Sequence, residues 1–108
     1  MYKFRAIFNL KSRSKYSFNG VVEYKDVKLR TEDGKVHGEM SLLIERADIN
    51  LARDKAIEKI DELALLLTLV FEEGFIIEDI NVMSVPTIID EGHGKVVEIC
   101  DYVQIMYN

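Results

Sequence analysis

One long helical period runs through residues 49–73. It restricts this chain to architectures in which a single helix buries a stripe against some other element. Ile49, Ala52, Ala56, Ile57, Ile60, Leu63, Ala64, Leu67, Val70 and Phe71 recur at intervals of three and four, the spacing that gathers apolar side chains on one helical face. Asp48 or Asn50 is placed to cap the N-terminus, and Gly74 is placed to end the helix. The opposite face starts charged, with Arg53, Lys55, Glu58, Lys59, Asp61 and Glu62, and then turns apolar at Leu65, Leu66 and Leu69. A helix that is apolar all round is covered all round. Either a second hairpin folds over Leu65, Leu66 and Leu69 within the chain, or another chain does, and the second alternative makes these three leucines a partner interface in a homodimer. Another protein partner would fit the same surface.

The segments flanking the helix show period two instead. Tyr2, Phe4, Ala6, Phe8 and Leu10 alternate with Lys3, Arg5 and Asn9, which reads as a strand with an aromatic core face and a charged outer face. Residues 21–31 and 36–45 form a hairpin closed at Asp33-Gly34, since Asp-Gly supplies the positive φ values of a two-residue turn. Pairing Glu32 with Lys35 sets Val27 opposite Met40 and Lys28 opposite Glu39. Val22 and Tyr24 then fall on the wrong parity, so a β-bulge is expected near Lys25-Asp26, with Tyr24 opposite Leu42 and Val22 opposite Ile44. Residues 75–89 and 96–107 read as a second hairpin across Glu91-Gly92-His93-Gly94, with Ile88 opposite Val97, Val82 opposite Val103 and Ile80 opposite Ile105. Pro86 cannot donate to a ladder, so its strand belongs on an edge or bulges there.

The expectation is one α+β domain over residues 1–108: an antiparallel sheet of about five strands, in the order β-β-β-α-β-β, packed against one long helix. A length of 108 residues with 48% apolar and 31% charged residues suits a globular chain with a real core. No N-terminal apolar segment reads as a signal peptide, and the longest apolar run, Leu63 to Phe71, is less than half a bilayer. Cys100, the lone cysteine, has no intrachain partner. These features lead us to expect a cytoplasmic protein with no membrane contact.

Net charge is uneven. Residues 1–30 hold eight Lys/Arg against two acids (+6), and residues 31–108 hold six against seventeen (−11). Basic strands lying beside acidic ones account for this without any ligand. The alternative reading is an anion or nucleic-acid site built from Lys3, Arg5, Lys11, Arg13, Lys15, Lys28 and Arg30, because such clusters attract phosphate. The pI near 5.0 and the aromatics pointing away from the cations disfavour nucleic acid.

No constellation points to an enzyme. Asp90-Glu91-Gly92-His93-Gly94-Lys95 lacks a second histidine at ligand spacing, so no metal site is expected, and it lacks the phosphate-loop spacing. His37 falls opposite Arg30 as an exposed strand residue. Asp61-Glu62, Glu72-Glu73 and Glu78-Asp79 are neighbours whose side chains do not converge. Cys100 lies between Glu98 and Asp101, which disfavour a thiolate. No cofactor is expected. The leading expectation is a non-enzymatic interaction or oligomerisation module, and an enzyme ranks third.

Overall fold

A computed structural model describes residues 2–12, 20–24, 27–32, 35–71, 74–85 and 101–107. Among these residues six strands and one helix follow one another as β1 (Tyr2–Ser12), β2 (Gly20–Tyr24), β3 (Val27–Glu32), β4 (Lys35–Ile44), α1 (Ile49–Phe71), β5 (Phe75–Ser84) and β6 (Tyr102–Met106). The strands form one antiparallel sheet in the order β2-β3-β4-β1-β5-β6. The α+β class, the antiparallel sheet and the single long helix between an N-terminal and a C-terminal group of strands are those expected.

The strand count rises because the expected strand 21–31 reverses direction. Val22 pairs with Leu29 and Tyr24 with Val27, so β2 and β3 are the two arms of a hairpin. The parity change is real, but a chain reversal produces it and a bulge does not. In an antiparallel pair joined this way an even position stands opposite an odd one, as Val22 does opposite Leu29. The expected partners go elsewhere: Leu42 lies opposite Phe4 and Ile44 opposite Tyr2.

The other registers hold. Val27 faces Met40 and Lys28 faces Glu39 across β3–β4. Val82 faces Val103 and Ile80 faces Ile105 across β5–β6. Pro86, the Ile88–Val97 pair, residues 90–95 and Cys100 lie outside the described residues.

A bulge does occur, in β5. Asn9 pairs with Asp79 and Leu10 with Ile77, which leaves Glu78 as the extra residue. Phe75 and Ile77 are odd-numbered and Ile80 and Val82 even-numbered, yet all four pack in or against the core. A straight strand would have turned either the first pair or the second to solvent, and the bulge resolves the conflict with a carboxylate as the residue left over.

The core lies between one sheet face and α1. β1 supplies Phe4, Ala6, Phe8 and Leu10, and α1 supplies Ala52, Ala56, Ile60, Leu63, Ala64 and Leu67. Three of those six helical residues are alanines, so the helix axis approaches the sheet closely. Gly38 shows the same economy of space. It stands opposite Phe8, and a Cβ there would collide with the Phe8 ring, so the ring occupies the space a larger residue would need. Tyr2, expected in the core by parity, is 49% exposed because it sits at the outer end of its strand.

Among the described residues, helix α1 packs chiefly on β5, with lesser contact to β4, β1 and β6 and none to β2 or β3. Asp48 is its cap: Oδ1 accepts the Asn50 N–H at 2.9 Å, satisfying a donor that the helix leaves unpaired. At the other end Thr68 links helix to strand, donating to Ala64 O at 2.8 Å and accepting from Phe75 N at 3.3 Å. Among the described residues, no helix is long and apolar enough to cross a membrane.

Candidate interaction surface

The sheet places the apolar stripe of α1 inward, and that decides what lies opposite. Successive helical residues are 100° apart, so Leu65 projects about 160° from both Leu63 and Leu67, and Leu69 half a turn from Ile60. Both point straight away from the sheet. Leu65 is 62% exposed and Leu69 69%. Leu66 lies on the flank and is half-buried. Val70, expected in the buried stripe, is 64% exposed, whereas Phe71, 36% exposed, stays on the inner side and packs edge-on against Phe75 with ring centroids 6.2 Å apart. Leu65, Leu66, Leu69 and Val70 thus share the uncovered side of that end of the helix. The described residues of β5 and β6 lie within the sheet, not over these side chains.

The N-terminal half of the same outer face is mainly charged. Asp54 and Glu58 are exposed there beside Leu51, and Glu62 follows one turn on. On the flank, Lys55 donates to Leu43 O at 3.1 Å, tying the helix to β4.

The basic residues separate into pairs with different surroundings. Lys3, Arg5 and Lys11 project from the outer face of β1, and Lys28 and Arg30 from that of β3, with β4 between them. Arg5 is ion-paired with Glu39 at 2.5 Å, and Lys28 faces the same Glu39 in register. Lys11 faces Lys35, and Lys35 in turn faces Glu32. The outer face therefore mixes both signs of charge. Arg13 and Lys15 lie outside the described residues.

A polar chain crosses this outer face that periodicity did not disclose. Asn9 Nδ2 donates to Asp79 Oδ1 at 2.7 Å, and Asn9 Oδ1 is hydrogen-bonded to His37 Nδ1. With its amide NH₂ committed to Asp79, Asn9 offers only its oxygen, so His37 holds its proton on Nδ1. Arg30 flanks His37 in register, as expected. One strand further, the Tyr102 hydroxyl donates to Asn81 Oδ1 at 2.5 Å. His37 is 28 residues from Asn9 and Asp79 is 70, so only the strand order β4-β1-β5 brings them together. Among the described residues, no three His, Cys, Asp or Glu side chains gather as metal ligands would.

An open cleft of about 810 Å³ lies where β6 stops short of the start of β5. Asp61 and Ala64 of α1, Phe75 to Asp79 of β5, Lys11, Met106 and Tyr107 line it. The Tyr107 phenol sits above its ordinary value of 10.0, first because burial disfavours the phenolate and second because the Asp61 carboxylate repels it. Tyr107 N donates to Glu78 O at 2.9 Å, which anchors that wall.

No protein-family model, curated protein sequence or solved structure matches this chain.

Proposed function

We propose that this protein is a non-enzymatic oligomerisation module whose helix α1 docks, through its C-terminal half, on the same surface of a second copy. One observation carries the reading: Leu65 and Leu69 are 62% and 69% exposed on the helical face opposite the core. Leu66 and Val70 continue the patch. Soluble monomers rarely leave a contiguous apolar patch of this kind uncovered. Burying a leucine side chain is worth about 1.5–3 kcal/mol before association costs, and a twofold contact uses each leucine twice. The outer face of the sheet competes poorly as a ligand surface, because its cations alternate with carboxylates. The lone Cys100 fits a reducing, cytoplasmic setting for such a module.

The test is the mass in solution of the wild type and of the double variant Leu65→Glu/Leu69→Glu, measured by light scattering at micromolar concentration. The wild type is expected at a multiple of the 12.5 kDa chain. The variant is expected at half the wild-type mass with an unchanged circular dichroism spectrum. A wild type that stays at one chain, or a folded variant with the wild-type mass, overturns the proposal.

A further inference from the structure

A second surface, separate from the helix, points to a copy of the same chain. Among the described residues β6 is the last strand of the sheet beyond β5. Its backbone polarity follows from its hydrogen bonds. Asp101 O accepts from Ser84 N at 3.0 Å, and Tyr107 N donates to Glu78 O at 2.9 Å, so odd-numbered residues direct their N–H and C=O towards β5. The β5–β6 register runs without a shift from Asp79–Met106 to Met83–Tyr102. Backbone groups alternate in an antiparallel ladder, so Tyr102, Gln104 and Met106 aim theirs outward. None of the three is proline, and each presents both a donor and an acceptor.

Natural sheet edges are usually blunted with charge, proline or a bulge. The sequence Tyr102-Val103-Gln104-Ile105-Met106 has none of these, whereas β2 at the other edge carries Glu23. The edge is also self-complementary. If two copies align antiparallel about Gln104, Gln104 faces its own counterpart and Tyr102 faces Met106, and all three positions are hydrogen-bonded pairs. Val103 then faces Ile105 on the inner side, where both are only half-buried. No charge meets a like charge anywhere in this register.

We infer that β6 pairs with β6 of a second copy, joining two six-stranded sheets into one through their outer edges. The inference does not rest on the helix contact. The twofold axis of edge pairing stands perpendicular to the sheet, whereas that of helix docking lies parallel to it, so one copy can make both contacts at once, and where the two axes intersect they close a tetramer of dihedral symmetry.

Gln104→Pro tests the edge. It deletes one outward N–H at the centre of the pairing and none directed at β5, so the fold is expected to survive. Light scattering should show the variant at half the wild-type mass. Combining it with Leu65→Glu/Leu69→Glu should leave single chains. If the Pro variant keeps the wild-type mass while the helix double variant loses half, edge pairing is overturned and helix docking stands. If the helix double variant keeps the wild-type mass while the Pro variant loses half, helix docking is overturned and edge pairing stands. Amide exchange on the wild type provides a reading that needs no variant: the Tyr102, Gln104 and Met106 amides should exchange more slowly as protein concentration rises. Rapid exchange at every concentration overturns the inference.

Discussion

The two halves of α1 share an inner face and differ on the outer one. From Ile49 to Ile60 the helix buries Ala52, Ala56 and Ile60 and presents Asp54 and Glu58 to solvent, with Leu51 the one large apolar residue exposed beside them, close to the ordinary amphipathic arrangement. From Asp61 to Phe71 it buries Leu63, Ala64 and Leu67 yet still exposes Leu65, Leu69 and Val70. One helix of about 10 Å diameter offers the sheet only one side, so the inner residues of both halves hold the fold together. The outer leucines contribute little to the isolated chain. The contrast shows that apolar residues on a helix can have two separate roles even one position apart.

Substitutions along α1 can break or sharpen that contrast. Ile60→Ala should have the largest effect. Ile60 is fully buried, and the lost methyls and the cavity should cost about 2–5 kcal/mol, read as a lower urea midpoint at constant slope. Ala56→Leu tests the closeness of the helix to the sheet from the opposite direction. Overpacking a site with no exposed surface should cost about 1–3 kcal/mol in the same titration.

Removing the cap is a smaller change. Asp48→Ala leaves the Asn50 N–H without its acceptor and should cost about 1 kcal/mol, together with fraying of the first turn visible in amide exchange. Glu58→Leu would make the two outer halves alike. Monomer stability should move by no more than about 0.5 kcal/mol, while the association constant measured by analytical ultracentrifugation should rise.

The smallest effect is the alkaline one. Tyr107 ionises later in the folded chain than in the unfolded chain. Above about pH 10 the unfolded chain therefore binds fewer protons than the folded one. The associated stability is fully present below that pH and falls as pH rises further. In a tyrosine absorbance titration Tyr107→Phe should remove the late-titrating component. Asp61→Asn should bring it part of the way back towards 10.0, since burial is the larger cause.

Much of the fold was legible in local pattern. The alternation of Phe4, Ala6, Phe8 and Leu10 marked β1 and its core face, and Asp33-Gly34 with the Val27–Met40 and Lys28–Glu39 pairs set the β3–β4 register. Two features were misread or missed for one reason, which is that parity reports a change of face without its cause. The change between Tyr24 and Val27 is a reversal, and the change between Ile77 and Ile80 is a bulge. Both look alike in sequence. Of the candidate surface, the leucines were legible as surplus apolar residues, whereas Val70 was assigned to the core because periodicity does not say how wide a stripe of the helix the sheet reaches.

By itself, then, the sequence determined which segments coil, which extend, and, except at the β2–β3 reversal, which neighbours pair across short turns, because those outcomes follow from backbone sterics and side-chain spacing within a few residues. Only the tertiary structure decided that β1 lies between β4 and β5, that Asn9 bridges His37 and Asp79, and which of the helix's apolar residues the sheet reaches. Those outcomes depend on contacts between segments tens of residues apart, where many pairings bury similar area and the folded packing selects one.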